Sequence, residues 1–334
     1  MKPLTITLRS DFTNVPINLT GITPCKIREL NRFAIERLPI QIAESEYRQS
    51  DCSLADVFQV ADGNPEVLRI DGQLEHCSHI GGQMQNGSID ARGSVGANVG
   101  FQMRSGSITI HGDAADHCAS NLRGGHVRVT GSVGNYAAGD NNRGMRGGRL
   151  TVAGSAGRWL GTRMRRGIVY VGGEVGPGAA TRMIAGTLVF GSGAQLPLGT
   201  DMQRGTIVFC ELPGTQQAKF GATDQPPRSG EIPRDTRQTG VPTLDPDATD
   251  DFRSQEYVAG DELPRELTRS AVPPIAGFTE PDIDELSFLP ILMREIANDS
   301  IRPTLSTKHP RRVLRSLGDR ASGGGGEVLW LLPK

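Results

Sequence analysis

Two sets of side chains in this chain have types and spacings capable of chemistry. His76-Cys77-Ser78-His79 and His117-Cys118 carry the nitrogen and sulfur donors that bind zinc. Arg104, Arg123, Arg146 and Arg165 follow one another at intervals of 19, 23 and 19 residues. Guanidinium groups in a row are receptors for carboxylates or phosphates, because each presents a planar fork of N–H donors. Familiar catalytic strings are missing. There is no GxxxxGK[ST] loop, no GxSxG elbow, no HExxH and no pair of carboxylates at an informative spacing.

Whether either set converges depends on the elements that carry it, and those elements repeat. Seven units begin at Met84, Met103, Leu122, Met145, Met164, Met183 and Met202. Each runs Met or Leu, two residues, Gly, one residue, an apolar residue, one residue, a second apolar residue. A degenerate copy starts at Gly63, with Leu68 and Ile70 in the apolar slots. A fixed period near 20 is the mark of a solenoid. The apolar pairs, among them Ile89/Ala91, Ile108/Ile110, Val127/Val129 and Leu188/Phe190, are two residues apart, so both members lie on one face of a strand. No 3.6-residue rhythm is present. Residues 63–214 therefore read as an all-β, single-stranded β-helix of about seven to eight coils, stacked ~4.8 Å apart.

Glycine supplies the corners. Of 43 glycines, 32 lie between 63 and 214, in columns such as Gly87, Gly106, Gly125, Gly148, Gly167, Gly186 and Gly205. Such columns separate the pattern from a flexible low-complexity tract. A second column of small residues, including Gly81, Gly100, Ala119 and Gly161, stands three before each start.

The repeat sorts the chemical candidates. His79, Asn98 and His117 occupy one column, so the two histidines are two coils, roughly 10 Å, apart. That exceeds the reach of one zinc ion and favours a stacked polar ladder. The four arginines stand one residue after successive starts, in a column completed by Gln85, Ile184 and Gln203. Two readings are open for it: a solvated ladder of splayed guanidiniums, or a groove for a polyanionic ligand or acidic partner surface. The unit 122–144 holds four extra residues near Ala138–Arg143, so Asn141, Asn142 and Arg143 read as a loop on one face. On the outward face, Asp90, Thr109 and Arg128 give way in later coils to Tyr170, Val189 and Val208. A strand apolar on both faces is covered on both. The favoured cover is the chain's own segment around Phe288–Leu292, with another subunit the alternative.

Around the coils, residues 1–62 read as a lead-in and N-terminal cap, with a strand at Leu4, Ile6 and Leu8. Residues 215–281 read as a Pro-rich extended linker, since 213–281 hold 10 of the 21 prolines. Residues 282–334 read as a C-terminal amphipathic helix over 282–299, with Pro290 as a break or late start, followed by a basic tail (Lys308, Arg311, Arg312, Arg315, Arg320). The net charge is −1 and only 5% of residues are aromatic, which argues against nucleic-acid binding. Five scattered cysteines without a CxxC pair argue for free thiols, a reducing compartment and no structural metal. No signal pattern and no long apolar run is found, so a soluble cytoplasmic protein, away from membranes, is expected.

The GxxMxxGxIxVxG strings at Gly100–Gly112, Gly161–Gly173 and Gly199–Phe209, with the lead-in LADVFQVADG at 54–63, resemble the GXGXG-type right-handed β-helix family. That family includes the C-terminal domain of glutamate synthase, the β-helix subunit of formylmethanofuran dehydrogenase, and its bacterial counterpart in the formyltransferase/hydrolase complex. The resemblance covers about 30–215 well and 282–300 weakly. It implies a structural subunit in one-carbon metabolism between a methanofuran-type carrier and tetrahydromethanopterin. Amidohydrolase-like and formyltransferase subunits would then be the partners, with metals and catalysis in those subunits. It carries no catalytic or metal residue onto this chain. Two other readings stand beside it: a glutamate-synthase-like structural domain in nitrogen metabolism, and a hexapeptide acyltransferase. The latter needs an 18-residue turn of three six-residue steps, which a 19-residue period with doubled apolar residues does not supply.

Overall fold

In the computed structural model, residues 2–45 and 48–210 are described, together with 275, 278, 282–286, 288, 289, 291–294, 312–318 and 325–331. Most of the expected linker, and Lys308, Arg311 and Arg320 of the basic tail, lie outside these residues.

The repeat builds a parallel ladder. The strands Asn64–Asp71, Ser88–Arg92, Ser107–Ile110, His126–Val129, Arg146–Val152, Arg166–Val171, Thr187–Phe190 and Thr206–Phe209 stack in sequence order. The apolar pairs stack in register: Ile108 lies against Ile89 and Val127, and Ile110 against Ala91 and Val129. A second line of bridges runs through Leu74, Val95, Ala114, Val133, Ala156, Val175 and Ala194 at the next corner. The starting Met and Leu side chains, Met84 through Met202, are wholly buried between these two lines. The fold is an all-β β-helix. Stacking like on like keeps each apolar column continuous, so every coil contributes to one core running along the axis.

The ladder extends further than the repeat. The strand Pro3–Leu8 pairs in parallel with Asn64–Asp71, placing Leu4 beside Leu68 and Ile6 beside Ile70. The first strand of the lead-in is thus itself a rung. Phe58–Ala61 then pairs antiparallel on its free edge and ends the parallel stack. At the other end, Glu327–Leu331 adds in parallel to Thr206–Phe209, carrying Val328 and Trp330 into the apolar columns of Ile207 and Phe209. Phe209 and Trp330 stack with centroids 5.8 Å apart. Arg312–Leu317 and Asp282–Glu285 continue the sheet antiparallel. The sheet therefore ends on two short antiparallel strands of four residues, Asp282–Glu285 and Phe58–Ala61, and short edge strands are poor templates for pairing with other chains.

The C-terminal region corrects one expectation and gives form to part of the basic tail. Residues 282–285, expected to open a helix, form a strand; among the described residues of 282–299 helix is confined to 289 and 291–294. Ile283 is matched by Leu314 across an antiparallel pair, and a strand's period of two serves that pairing better than a helical face. Arg312 and Arg315, read as part of a basic tail, sit in an ordered strand. Arg315 there bonds Glu327 at 3.0 Å, and Thr206 donates to the same carboxylate at 2.6 Å.

The outward apolar face is covered as expected. Tyr170, Val189 and Val208 form a second buried cluster with Leu289, Met293, Val313, Leu329 and Leu331. The chain's own C-terminal segment supplies that cover.

Candidate functional site: an arginine-lined cleft

Each chemical candidate occupies the corner that its place in the coil dictates. In the first candidate set, the cysteines and histidines diverge. Cys77 and Cys118 face inward and are fully buried, and burial pushes both thiols up to about 12. His79 and His117 face outward at the corner, with φ of 60° and 61°. Asn98 (63°), Tyr136 (58°) and Trp159 (66°) hold the same left-handed conformation in their coils. The sequence reading of this column as a polar ladder is incomplete. His117 stacks on Tyr136 at 5.2 Å and Tyr136 on Trp159 at 6.3 Å, both nearly parallel. The four-residue insertion hid Tyr136 from a count made backward from the next start. The ladder continues onto Gly178, where a Cβ would lie 2.5 Å from the Trp159 ring. Left-handed backbone costs a bulky residue about 1–2 kcal/mol, which ring stacking and the rung-to-rung hydrogen bonds of His117 and Tyr136 offset. Among the described residues no group of three or more His, Cys, Asp or Glu is placed to hold a metal ion.

The arginine column does converge. Arg146 donates its backbone N–H to Leu122, and Arg165 donates to Met145, so the two take equivalent places on successive coils. The ladder register shifts after Arg146, so that Arg146 pairs with Arg166. Coil by coil, the two positions after each start read Arg165-Arg166, Ile184-Ala185 and Gln203-Arg204. The middle pair is short. Its coil leaves a notch between two rims of long basic side chains, and an open cleft of about 530 Å3 results. Arg146, Arg165 and Arg166 form one rim, Gln203 and Arg204 the other, and Ile184 and Ala185 the floor. The two rims are two coil spacings, roughly 10 Å, apart.

Arg123 and Arg143 flank this cleft. Partial desolvation, followed by the charges of Arg143, Arg165 and Arg123, holds the Arg146 guanidinium below its ordinary value. Arg143 comes from the inserted loop. Met145 donates to Ala138 across that loop, closing a bond that other coils close over three residues, as Met103 does to Gly100. Asn141, Asn142 and Arg143 are exposed, and Asp140 anchors the loop by accepting from Asn121 at 2.7 Å. The insertion therefore adds a cation to the arginine face. Arg104, the lowest member of the sequence column, does not line the cleft.

None of Arg104, Arg123, Arg146, Arg165, Arg166 and Arg204 has an acidic or hydrogen-bonding side-chain partner among the described residues. Elsewhere arginines do find acids: Arg32 bridges Glu36 and Asp62, and Arg69 and Arg92 meet Asp90. Like charges on adjacent rungs repel, so the cleft is set up to gain from an anion. Sequence reasoning missed Arg166 and Arg204. The signal was the second position after each start, which holds Arg166, Ala185 and Arg204 in succession.

A second, smaller cleft of about 380 Å3 lies at the N-terminal end between Pro24, Arg28, Glu66 and Ser88. Nearby, Cys25 is raised by burial, but hydrogen bonds from Thr23 and the Gln85 and Asn86 backbones outweigh that and leave its thiol below the ordinary value. Among the described residues no helix is long and apolar enough to cross a membrane.

Comparison with known proteins adds an informative likeness. No family model and no curated protein matches the sequence. Among solved structures, the chain is similar to a chain of the formyltransferase/hydrolase complex from Methylorubrum extorquens, a crystal structure in complex with methylofuran. The identity is 25% and the TM-score 0.67, over 98% of this chain and 100% of that one.

Proposed function

We propose that this chain is the β-helix subunit of a complex of the formyltransferase/hydrolase kind, a structural member that carries no catalytic group of its own. The observation that carries the reading is the likeness over 98% of this chain and 100% of the other. A solenoid domain borrowed for another purpose would match over its coils alone. The architecture suits the role: a stiff axis with one core presents columns of side chains at fixed spacing, as subunit docking requires.

On this reading the partners are amidohydrolase-like and formyltransferase subunits, and the shared pathway moves one-carbon units on a methanofuran-type carrier in the cytoplasm. Whether the host complex also oxidises formyl groups depends on subunits other than this one. Any metals belong to the catalytic partners, and the arginine face is turned towards an anionic group of the assembly. The test is to purify the tagged chain from its host and identify what accompanies it by mass spectrometry. Amidohydrolase-like and formyltransferase subunits are expected in fixed proportion. Recovery of the chain alone, or with flavin and iron–sulfur partners, overturns the reading. The purified chain by itself is expected to show no formyl transfer, hydrolysis or dehydrogenation, and turnover by partner-free protein would defeat the structural role.

A further inference from the structure

We infer that the cleft between the Arg165-Arg166 and Gln203-Arg204 coils is the seat of an extended acidic polypeptide segment contributed by a partner subunit. The inference rests on the assembly reading above and specifies what meets this face. Four guanidiniums, Arg146, Arg165, Arg166 and Arg204, converge on one opening and lack acids among the described residues. Arginine forks bind carboxylates and phosphates alike, so the rest of the lining must choose between them.

The floor makes that choice. Ile184 and Ala185 offer an apolar strip between the charged rims, suited to the methylenes of acidic side chains. Gln203 on the rim presents a donor and an acceptor to a peptide group. Base-stacking aromatics are absent among the described lining residues; the His117–Tyr136–Trp159 stack occupies a different corner of the coil. The cavity, about 530 Å3, falls within the roughly 300–1,000 Å3 typical of ligand sites. Arg123 and Arg143 continue the positive face beside it. An extended chain laid along the axis meets cations on the coils of Arg123, Arg146 and Arg165, roughly 5 Å apart, and again at Arg204 beyond the Ile184-Ala185 coil.

The test uses the full chain and a fluorescein-labelled deca-glutamate peptide, read by anisotropy at low salt. Tripolyphosphate and a ten-nucleotide oligothymidylate serve as competitors. Wild-type protein is expected to bind the peptide, to lose affinity as salt rises, and to release the peptide only weakly to either competitor. Replacing Arg146→Gln, Arg165→Gln and Arg166→Gln together should weaken binding at least tenfold, whereas Arg104→Gln should leave it within twofold. Ala185→Glu, which places a carboxylate among the guanidiniums, should also weaken binding tenfold and keeps the test open if the triple variant misfolds. Unchanged peptide binding in a folded triple variant or in Ala185→Glu overturns the inference, as does preferential binding of oligothymidylate or tripolyphosphate. Capture from the host separates this from the assembly reading. Wild-type chain that recovers its partners but binds no peptide sinks the cleft alone, and wild-type chain that recovers no partners sinks the assembly.

Discussion

Gly148→Ala puts the stacking geometry at risk with one methyl group. Gly148 has φ of +80°, and a Cβ there would stand 2.6 Å from the Gly125 carbonyl oxygen and 2.9 Å from the Gly124 carbonyl carbon. Ordinary contact begins near 3.4 Å, so the two coils must part by most of an ångström, and both neighbours are backbone. The same Gly125 oxygen accepts the Arg149 N–H at 2.9 Å, a bond that any parting stretches. Left-handed backbone costs alanine about 1–2 kcal/mol, and a weakened rung-to-rung bond adds about 0.5–1.5 kcal/mol. The sum is about 1.5–3.5 kcal/mol, before any loss of packing around Leu122 and Met145. Gly193→Ala is the control, because nothing lies within 4 Å of a Cβ at Gly193 and its φ is outside the left-handed region. That substitution should be neutral to within about 0.5 kcal/mol. The assay is urea unfolding followed by circular dichroism. Midpoints are compared, since a solenoid need not unfold in one step. Gly148→Ala should lower the midpoint clearly while Gly193→Ala leaves it in place. Equal midpoints for the two variants would refute the claim that glycine at this corner is required by the coil below.

Ile110→Asp buries a charge between Ala91 and Val129, where Ile110 is fully enclosed. At a cost of several kcal/mol it should abolish soluble expression, whereas Thr109→Ser, one residue away and facing outward, should express normally. His126 hydrogen-bonds Thr151 at 3.0 Å; desolvation, and then the charges of Arg128 and Arg149, hold it down to about 4. An unfolded histidine titrates near 6.5, so its contribution is complete above that pH and is lost as pH falls from about 6.5 towards 4. After allowance for its partial exposure, on the order of 1–2 kcal/mol is at stake. His126→Gln should flatten the melting temperature over that window, and an unchanged pH profile would count against the assignment. Iodoacetamide at neutral pH should label Cys25 well before Cys77 or Cys118, whose enclosed thiols stay protonated. Peptide mapping of a time course reads the order directly, and early labelling of Cys118 would contradict the inward register of its coil.

The coils themselves were legible from one-dimensional pattern, because in a solenoid each local unit makes its main contacts with its own copies. The period, the inward pairs such as Ile108/Ile110, the glycine corner at Gly148 and the loop inserted at 138–143 all follow from spacing. The ladder's two ends did not follow. Leu4 and Ile6 lie some 64 residues from their partners Leu68 and Ile70, and Trp330 lies 121 residues from Phe209. Such rungs are recruited by fitting an exposed strand edge and an apolar column, and no repeat marks them. The same holds for 282–285, whose pattern suits a helix until Arg312–Leu317 offers it an edge to pair with.

The candidate site divides along the same line. Arg104, Arg123, Arg146 and Arg165 form a column in the sequence, and a column is all that periodicity can state. Their grouping into a cleft depends on neighbours from other coils: the short Ile184-Ala185 pair opens the notch, while Arg166 and Arg204 reach it from either side. The aromatic ladder of His117, Tyr136 and Trp159 likewise emerged only once the insertion had been folded out of the count. Periodicity specifies which residues share a face, because backbone geometry translates spacing into direction. Depth, convergence and unmet charge are properties of several coils side by side, and they exist only after the chain has stacked.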